Sequence, residues 1–159
     1  MASCLAIICC IGKKTLITLK GGGTFEVANG ELITQNGNAI EVAAMSTINI
    51  IVSGTGKVQT EGKDVHAIIS NDGNVEVKDD AVVSGTNGEV IATYGQNSIV
   101  TVSGGTVSAT NENAIIASKV QSVEIFDVYG KKLKAESRKR KVIPTILRSY
   151  GLPYRRLLC

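Results

Sequence analysis

Apolar and polar residues alternate along this chain in short bursts, and turns rich in Gly and Asn break the bursts at regular intervals. The bursts fall into rows. One row runs Phe25-Glu-Val-Ala-Asn-Gly-Glu-Leu-Ile-Thr-Gln-Asn-Gly-Asn-Ala-Ile40, and another runs Val100-Thr-Val-Ser-Gly-Gly-Thr-Val-Ser-Ala-Thr-Asn-Glu-Asn-Ala-Ile115. They align without a gap at an offset of 75, three times 25, so that Val27 meets Val102, Gly30 meets Gly105 and Leu32 meets Val107. A third row, Val75 to Ile91, aligns at an offset of 50. The second, from Ile50, keeps Ile50, Val52, Gly56 and Val58 in register, and an insertion of a residue or two then brings Ala67-Ile68 onto Ala39-Ile40. Alternation with period two predicts half-buried strands, two or three to a row.

A single row cannot bury its apolar side chains, whereas rows stacked about 4.8 Å apart can. Stacking predicts three interior columns: Val27, Val52, Val77 and Val102; Leu32, Val58, Val82 and Val107; and Ile40, Ile68, Val90 and Ile115. Each buried aliphatic side chain contributes about 1.5–3 kcal/mol, so several coils together offset the ordering entropy that one coil would not. Gly30, Gly56 and Gly105 recur at corners, where a positive φ or a close neighbouring turn is expected. A propeller blade needs a longer period and a sandwich needs none. The expected fold is therefore all-β: a right-handed parallel β-helix, or β-solenoid, of about four coils of about 25 residues. Its expected parts are an apolar N-terminal segment with a capping strand (1–22), the repeats (23–122), a hairpin (123–133) and an irregular or partly helical basic tail (134–159).

Composition fits this picture. Aromatics are 4% of the chain and Trp is absent, so the apolar mass is Val, Ile, Leu and Ala, which suit stacked strands. The net charge of +3 hides a split near Gly130: seven Lys/Arg against thirteen Asp/Glu before it, ten against one after it. Cys4, Cys9, Cys10 and Cys159 lie outside the repeats, and the adjacent Cys9 and Cys10 have neither disulfide geometry nor metal-ligand spacing. The apolar stretch from Met1 to Ile11 is too short to span a bilayer and has no cation before it, as an export signal requires. It reads as a hydrophobic cap over the first coil, or as the product of a start placed inside a longer gene.

Two resemblances follow from particular phrases. Val102-Ser-Gly-Gly-Thr-Val-Ser-Ala-Thr-Asn-Glu-Asn-Ala-Ile115 resembles the repeats of bacterial secreted and cell-surface β-solenoid proteins, a likeness that covers about residues 23–120. Val123-Glu-Ile-Phe-Asp-Val-Tyr-Gly-Lys-Lys-Leu133 resembles the first hairpin of the C-terminal sorting domain that Bacteroidetes proteins carry for type IX secretion. The later phrase from Tyr150 to Cys159 begins like that domain's closing strand and then departs from it, as a fragment or truncated frame would. The resemblances imply an extracellular or cell-surface protein with adhesin-like behaviour.

No catalytic, cofactor or metal residues are assigned from the sequence. Asp79-Asp80 is the best candidate for paired carboxylates, but neighbours on a strand face opposite ways, so a solvated acidic turn is the preferred reading. His66, the single histidine, is expected in an exposed turn. Gly21-Gly22-Gly23 lacks the Asp of a Ca²⁺-binding repeat and the Gly-Lys-Ser/Thr of a phosphate loop. Thr34, Thr60 and Thr110 recur too loosely for a threonine ladder. The basic residues Lys131 to Lys134 and Arg138 to Lys141, with Tyr150 and Tyr154 among Arg148, Arg155 and Arg156, have the makings of a nucleic-acid or anionic-lipid site, but a solvated tail is preferred. The expected function is a non-enzymatic spacer or adhesive module whose partners are glycans or surface proteins, with Glu26, Glu76 and Thr101 on its flat outer surface. The alternative is a fragment of a polysaccharide lyase or hydrolase whose catalytic coils are absent. Uncapped coil ends expose edge strands and favour self-association.

Overall fold

The computed structural model describes residues 15–117 together with the strands Ile7–Cys10, Ser122–Phe126, Lys132–Leu133, Lys141–Pro144 and Leu147–Arg148. Strands dominate, and among the described residues there is no helix. They wind into three parallel faces. Face one stacks β1 (Ile7–Cys10), β4 (Glu31–Thr34), β7 (Lys57–Lys63), β10 (Val82–Asn87) and β13 (Thr106–Ala109). Face two stacks β2 (Ile17–Leu19), β5 (Ile40–Val42), β8 (Ile68–Ser70), β11 (Ile91–Thr93) and β14 (Asn113–Ala117). Face three stacks β3 (Gly22–Val27), β6 (Thr47–Val52), β9 (Val75–Val77), β12 (Ile99–Val102) and β15 (Ser122–Phe126). Successive strands of a face are one turn of chain apart, so five strands span about four turns. The protein is a parallel β-solenoid.

The alternation explains the winding. Strands such as β4, β5, β9 and β12 place every second side chain inside, and the corner after each turns the chain onto the next face. On face three the inner columns are Phe25, Ile50, Val75 and Val100, and Val27, Val52, Val77 and Val102, each member paired with the next. On face two an isoleucine column runs Ile17, Ile40, Ile68, Ile91 and Ile115. Ile40, Ile68, Ile91 and Ile115 are fully buried. Its second inner column changes character, from Leu19 and Val42 to Ser70, Thr93 and Ala117. Face one carries Leu32, Val58, Val83 and Val107, with Thr34, Thr60, Gly85 and Ala109 beside them.

Two positions differ from the sequence expectation. Val83, not Val82, occupies the face-one column: Val83 is 0% exposed, and Val82 pairs with Lys57 and Thr106 on the outer side. Ile91, not Val90, continues the isoleucine column, and Val90 is buried at the corner before it. Both shifts trace to the second coil. Its insertion is larger than a residue or two, since the segment reaching face two is 28 residues from its predecessor at Asn38/His66 and the next coil is shorter, 23 at His66/Glu89. A bulge between Gly85 and Asn87 absorbs part of the mismatch. Face three keeps a spacing of 25 from β3 to β12, as in the Asn49/Asn74 and Asn74/Ile99 contacts, and shortens to 23 at β15, where Val100 pairs with Val123.

Corner glycines allow adjacent coils to approach. A Cβ on Gly56 would fall on the Val27 carbonyl, and one on Gly88 on the Val65 carbonyl, well inside contact distance. Gly105 combines such an approach, 2.6 Å from the Ala81 oxygen, with a φ of +61°. At the C-terminal end the chain returns in antiparallel sense across all three faces: β16 (Lys132–Leu133) pairs with β15, β17 (Lys141–Pro144) with β14, and β18 (Leu147–Arg148) with β13. The returning strands supply partners for backbone groups that would otherwise form open edges. The stretch that resembles a sorting hairpin thus contributes β15 to face three and β16 to its antiparallel closure, with Ile125 opposite Leu133. The remainder of the basic tail lies outside the described residues.

Candidate functional site

The residues with the most chemistry on the repeats are engaged between coils. Asp79 has a φ of +58° and accepts the Gly54 N–H on Oδ2 at 3.0 Å, while Gly105 N–H donates to its carbonyl. The neighbouring Asp80 N–H donates to Gly54 O at 3.1 Å. This acidic pair therefore closes an exposed corner between faces three and one, as a turn reading requires. His66 differs from expectation. Rather than an exposed turn residue, it is a partly buried bridge: its backbone N–H donates to Asn38 Oδ1 at 2.9 Å, and Nε2 lies 2.9 Å from Glu89 Oε2 in the next coil. The insertion in the second coil displaces the chain enough to lay the imidazole between its neighbours instead of in solvent.

Gly21 precedes β3 and Gly22 and Gly23 open it, with Gly21 and Gly23 at φ +98° and +122°. Thr34 and Thr60 are register partners but point inward, and Thr110 is exposed beyond the end of β13. No outward threonine ladder unites the three. Glu26, Glu76 and Thr101 share an outward column with Ile51 and Glu124 on face three. Among the described residues no group of three or more His, Cys, Asp or Glu is placed to hold a metal ion, and no helix is long and apolar enough to cross a membrane.

Among the described residues, grooves open at two of the corners. The smaller, about 190 Å³, is lined by Asp64, His66, Asn87, Gly88, Glu89 and Glu112. The larger, about 390 Å³, lies between faces two and three and is lined by Asn71, Asp72, Tyr94, Gly95, Gln96 and Asn97. Two consecutive coils build it: Asn71-Asp72 follows β8 and Tyr94 to Asn97 follow β11. Hydrogen bonds fix both corners. Asn71 Nδ2 donates to Val42 O at 3.0 Å, Ser70 Oγ donates to Asp72 O at 2.8 Å, and Ser98 N–H closes the upper turn on Gly95 O at 3.2 Å. Gly95 is needed there, since a Cβ would lie 2.6 Å from Asp72 Oδ1 and 2.7 Å from Asn71 O.

Tyr94 is 40% exposed, and with Met45 it is one of the two large hydrophobic residues exposed among the described residues. Burial, and secondarily the Glu89 carboxylate, raise its phenol above the usual tyrosine value, so the hydroxyl stays protonated at neutral pH. Sequence reasoning missed this groove because no local motif encodes it. Its only signal is an aromatic in an Asn- and Gln-bearing turn, one coil after Asn71-Asp72. Fold and corners together define a parallel β-solenoid with polar grooves along its ridges. No protein-family model matches the chain, and no curated protein or solved structure is significantly similar to it.

Proposed function

We propose that the chain is a non-enzymatic module of the cell surface or extracellular space, a rigid spacer that presents ordered faces and corners to glycans or surface proteins. The observation that carries this reading is the use made of its reactive side chains. Asp79 and His66 bridge adjacent coils, so the groups best suited to chemistry act as pegs between rungs. Side-chain contacts between rungs support it: Lys57 Nζ pairs with Glu31 Oε1 at 2.6 Å, Gln59 Nε2 donates to Ser84 Oγ at 3.1 Å and the buried Ser53 Oγ donates to Glu26 Oε1 at 2.5 Å, each across one turn. Such cross-rung contacts favour a stiff, uniform exterior, and stacked repeats with extended surfaces are suited to binding. The likeness of Val102 to Ile115 to the repeats of secreted solenoids supports the location.

Two measurements test the reading. Incubation with neutral and acidic polysaccharides should release no new reducing ends or unsaturated products; turnover that purifies with the chain would favour a carbohydrate-active enzyme instead. Protease shaving of intact source cells should release peptides of residues 23–117 from the cell exterior, and recovery only after lysis would contradict the location.

A further inference from the structure

The corner groove between faces two and three has the composition of a recognition site. Its lining combines one solvent-facing ring with the carboxamides of Asn71, Gln96 and Asn97 and the carboxylate of Asp72. Carboxamides and carboxylates offer fixed donors and acceptors to vicinal hydroxyls, and a half-exposed ring offers its face to the C–H side of a sugar. Among the described residues the lining holds one carboxylate, Asp72, and no Lys, Arg or His, so a sulfate, phosphate or sialic acid carboxylate would meet a like charge there. The volume of about 390 Å³ is at the small end of the roughly 300–1,000 Å³ typical of small-molecule sites, suited to one or two sugar units rather than a protein surface.

A second observation points to the same ridge. Met45, 98% exposed, lies in the corresponding corner after β5, and Tyr94 lies after β11. They are two rungs apart, about 10 Å at the usual strand spacing. Both exposed large apolar side chains of the described residues therefore flank Asn71-Asp72 on one corner, instead of being scattered over the faces. Isolated apolar residues on a surface need no explanation, but their alignment beside a polar groove does.

We infer that this ridge binds a neutral oligosaccharide, with Tyr94 as the stacking platform and Asp72, Asn71, Gln96 and Asn97 as hydroxyl partners. The inference rests on the reading of the chain as a surface-binding module and names the ligand class and the place. The phenol hydroxyl, kept protonated, adds a donor at the rim. Hydrogen bonds to the backbone hold the turns of both coils, so the floor of the groove is preformed and adds little ordering cost to binding.

The test uses the full chain on an array of neutral gluco-, manno-, galacto- and xylo-oligosaccharides beside sialylated and sulfated glycans, followed by titration calorimetry with any hit. A neutral oligosaccharide should bind, and Tyr94→Ala and Asp72→Ala should each weaken it about tenfold or more. Tyr94→Phe should retain most of the affinity, and Ser108→Ala, on the outer side of face one, all of it. Equal unfolding midpoints for the variants exclude loss through misfolding. Binding indifferent to both Tyr94→Ala and Asp72→Ala would overturn the groove assignment while leaving a surface-binding module intact. Binding confined to acidic glycans, or to none, would overturn the inference outright. Failure of the parent reading registers separately, as polysaccharide turnover or an intracellular location.

Discussion

Val82 and Val83 are adjacent, identical in chemistry and opposite in fate, which makes them a sensitive probe of the stacking register. Val83 is 0% exposed between Val58 and Val107, whereas Val82 stands on the outer side between Lys57 and Thr106. Truncating Val83 to Ala removes two methyl groups, about 1.6 kcal/mol of transfer free energy at roughly 0.8 kcal/mol per carbon. The void left, about 50 Å³ if the neighbours do not relax, adds roughly 1 kcal/mol at about 24 cal/mol per Å³. Loss of strand preference costs both variants alike, up to about 1 kcal/mol. Val83→Ala should therefore lose about 3 kcal/mol and Val82→Ala about 1 kcal/mol or less. Urea unfolding followed by far-ultraviolet circular dichroism measures both, provided the slopes of the two transitions agree. Equal losses, or a larger loss at Val82, would refute the register at face one and restore the simple 25-residue alignment.

Other perturbations test other features. Among the described residues Thr60 Oγ1 and Thr93 Oγ1 are buried with no hydrogen-bond partner, so Thr93→Val should raise stability by about 1–2 kcal/mol, read as a higher urea midpoint. Gly88→Ala should cost about 1–3 kcal/mol or more because its Cβ meets the Val65 carbonyl, while Gly22→Ala, 3.6 Å from the Thr47 oxygen at an ordinary φ, should be nearly neutral in the same assay. The pH dependence near Tyr94 has a defined sign. Its raised phenol holds a proton in the folded chain that the unfolded chain releases first, so its contribution is complete below about pH 10 and is lost as pH rises through the folded value. Tyr94→Phe should flatten that part of the alkaline stability profile, and an unchanged slope would count against the burial of the phenol.

The sequence reveals face three most completely, because its inner residues recur every 25 positions and no polar residue interrupts Val27, Val52, Val77 and Val102. Faces one and two were harder for a physical reason. Where two apolar residues are adjacent, as at Val82-Val83 and Val90-Ile91, alternation has no phase, and only the insertion in the second coil and the bulge after Gly85 decide which turns inward. His66 was misplaced by the same insertion: its surroundings come from Asn38 and Glu89, in the coils on either side. The acidic corner at Asp79 was legible as a turn because adjacent carboxylates on an extended strand cannot converge. The Tyr94 groove was not legible, since its halves become neighbours only once the coils are stacked.

The central claim is that consecutive rungs lie parallel and in register around one aliphatic interior. Methyl-labelled nuclear magnetic resonance tests it directly through contacts along the column Val27, Val52, Val77 and Val102. Rungs about 4.8 Å apart predict strong methyl-to-methyl cross-peaks between each valine and the next, and weak or no peaks between members two rungs apart, at about 9.6 Å. Cross-peaks from Val52 to partners outside this column, with none to Val27 or Val77, would contradict the solenoid.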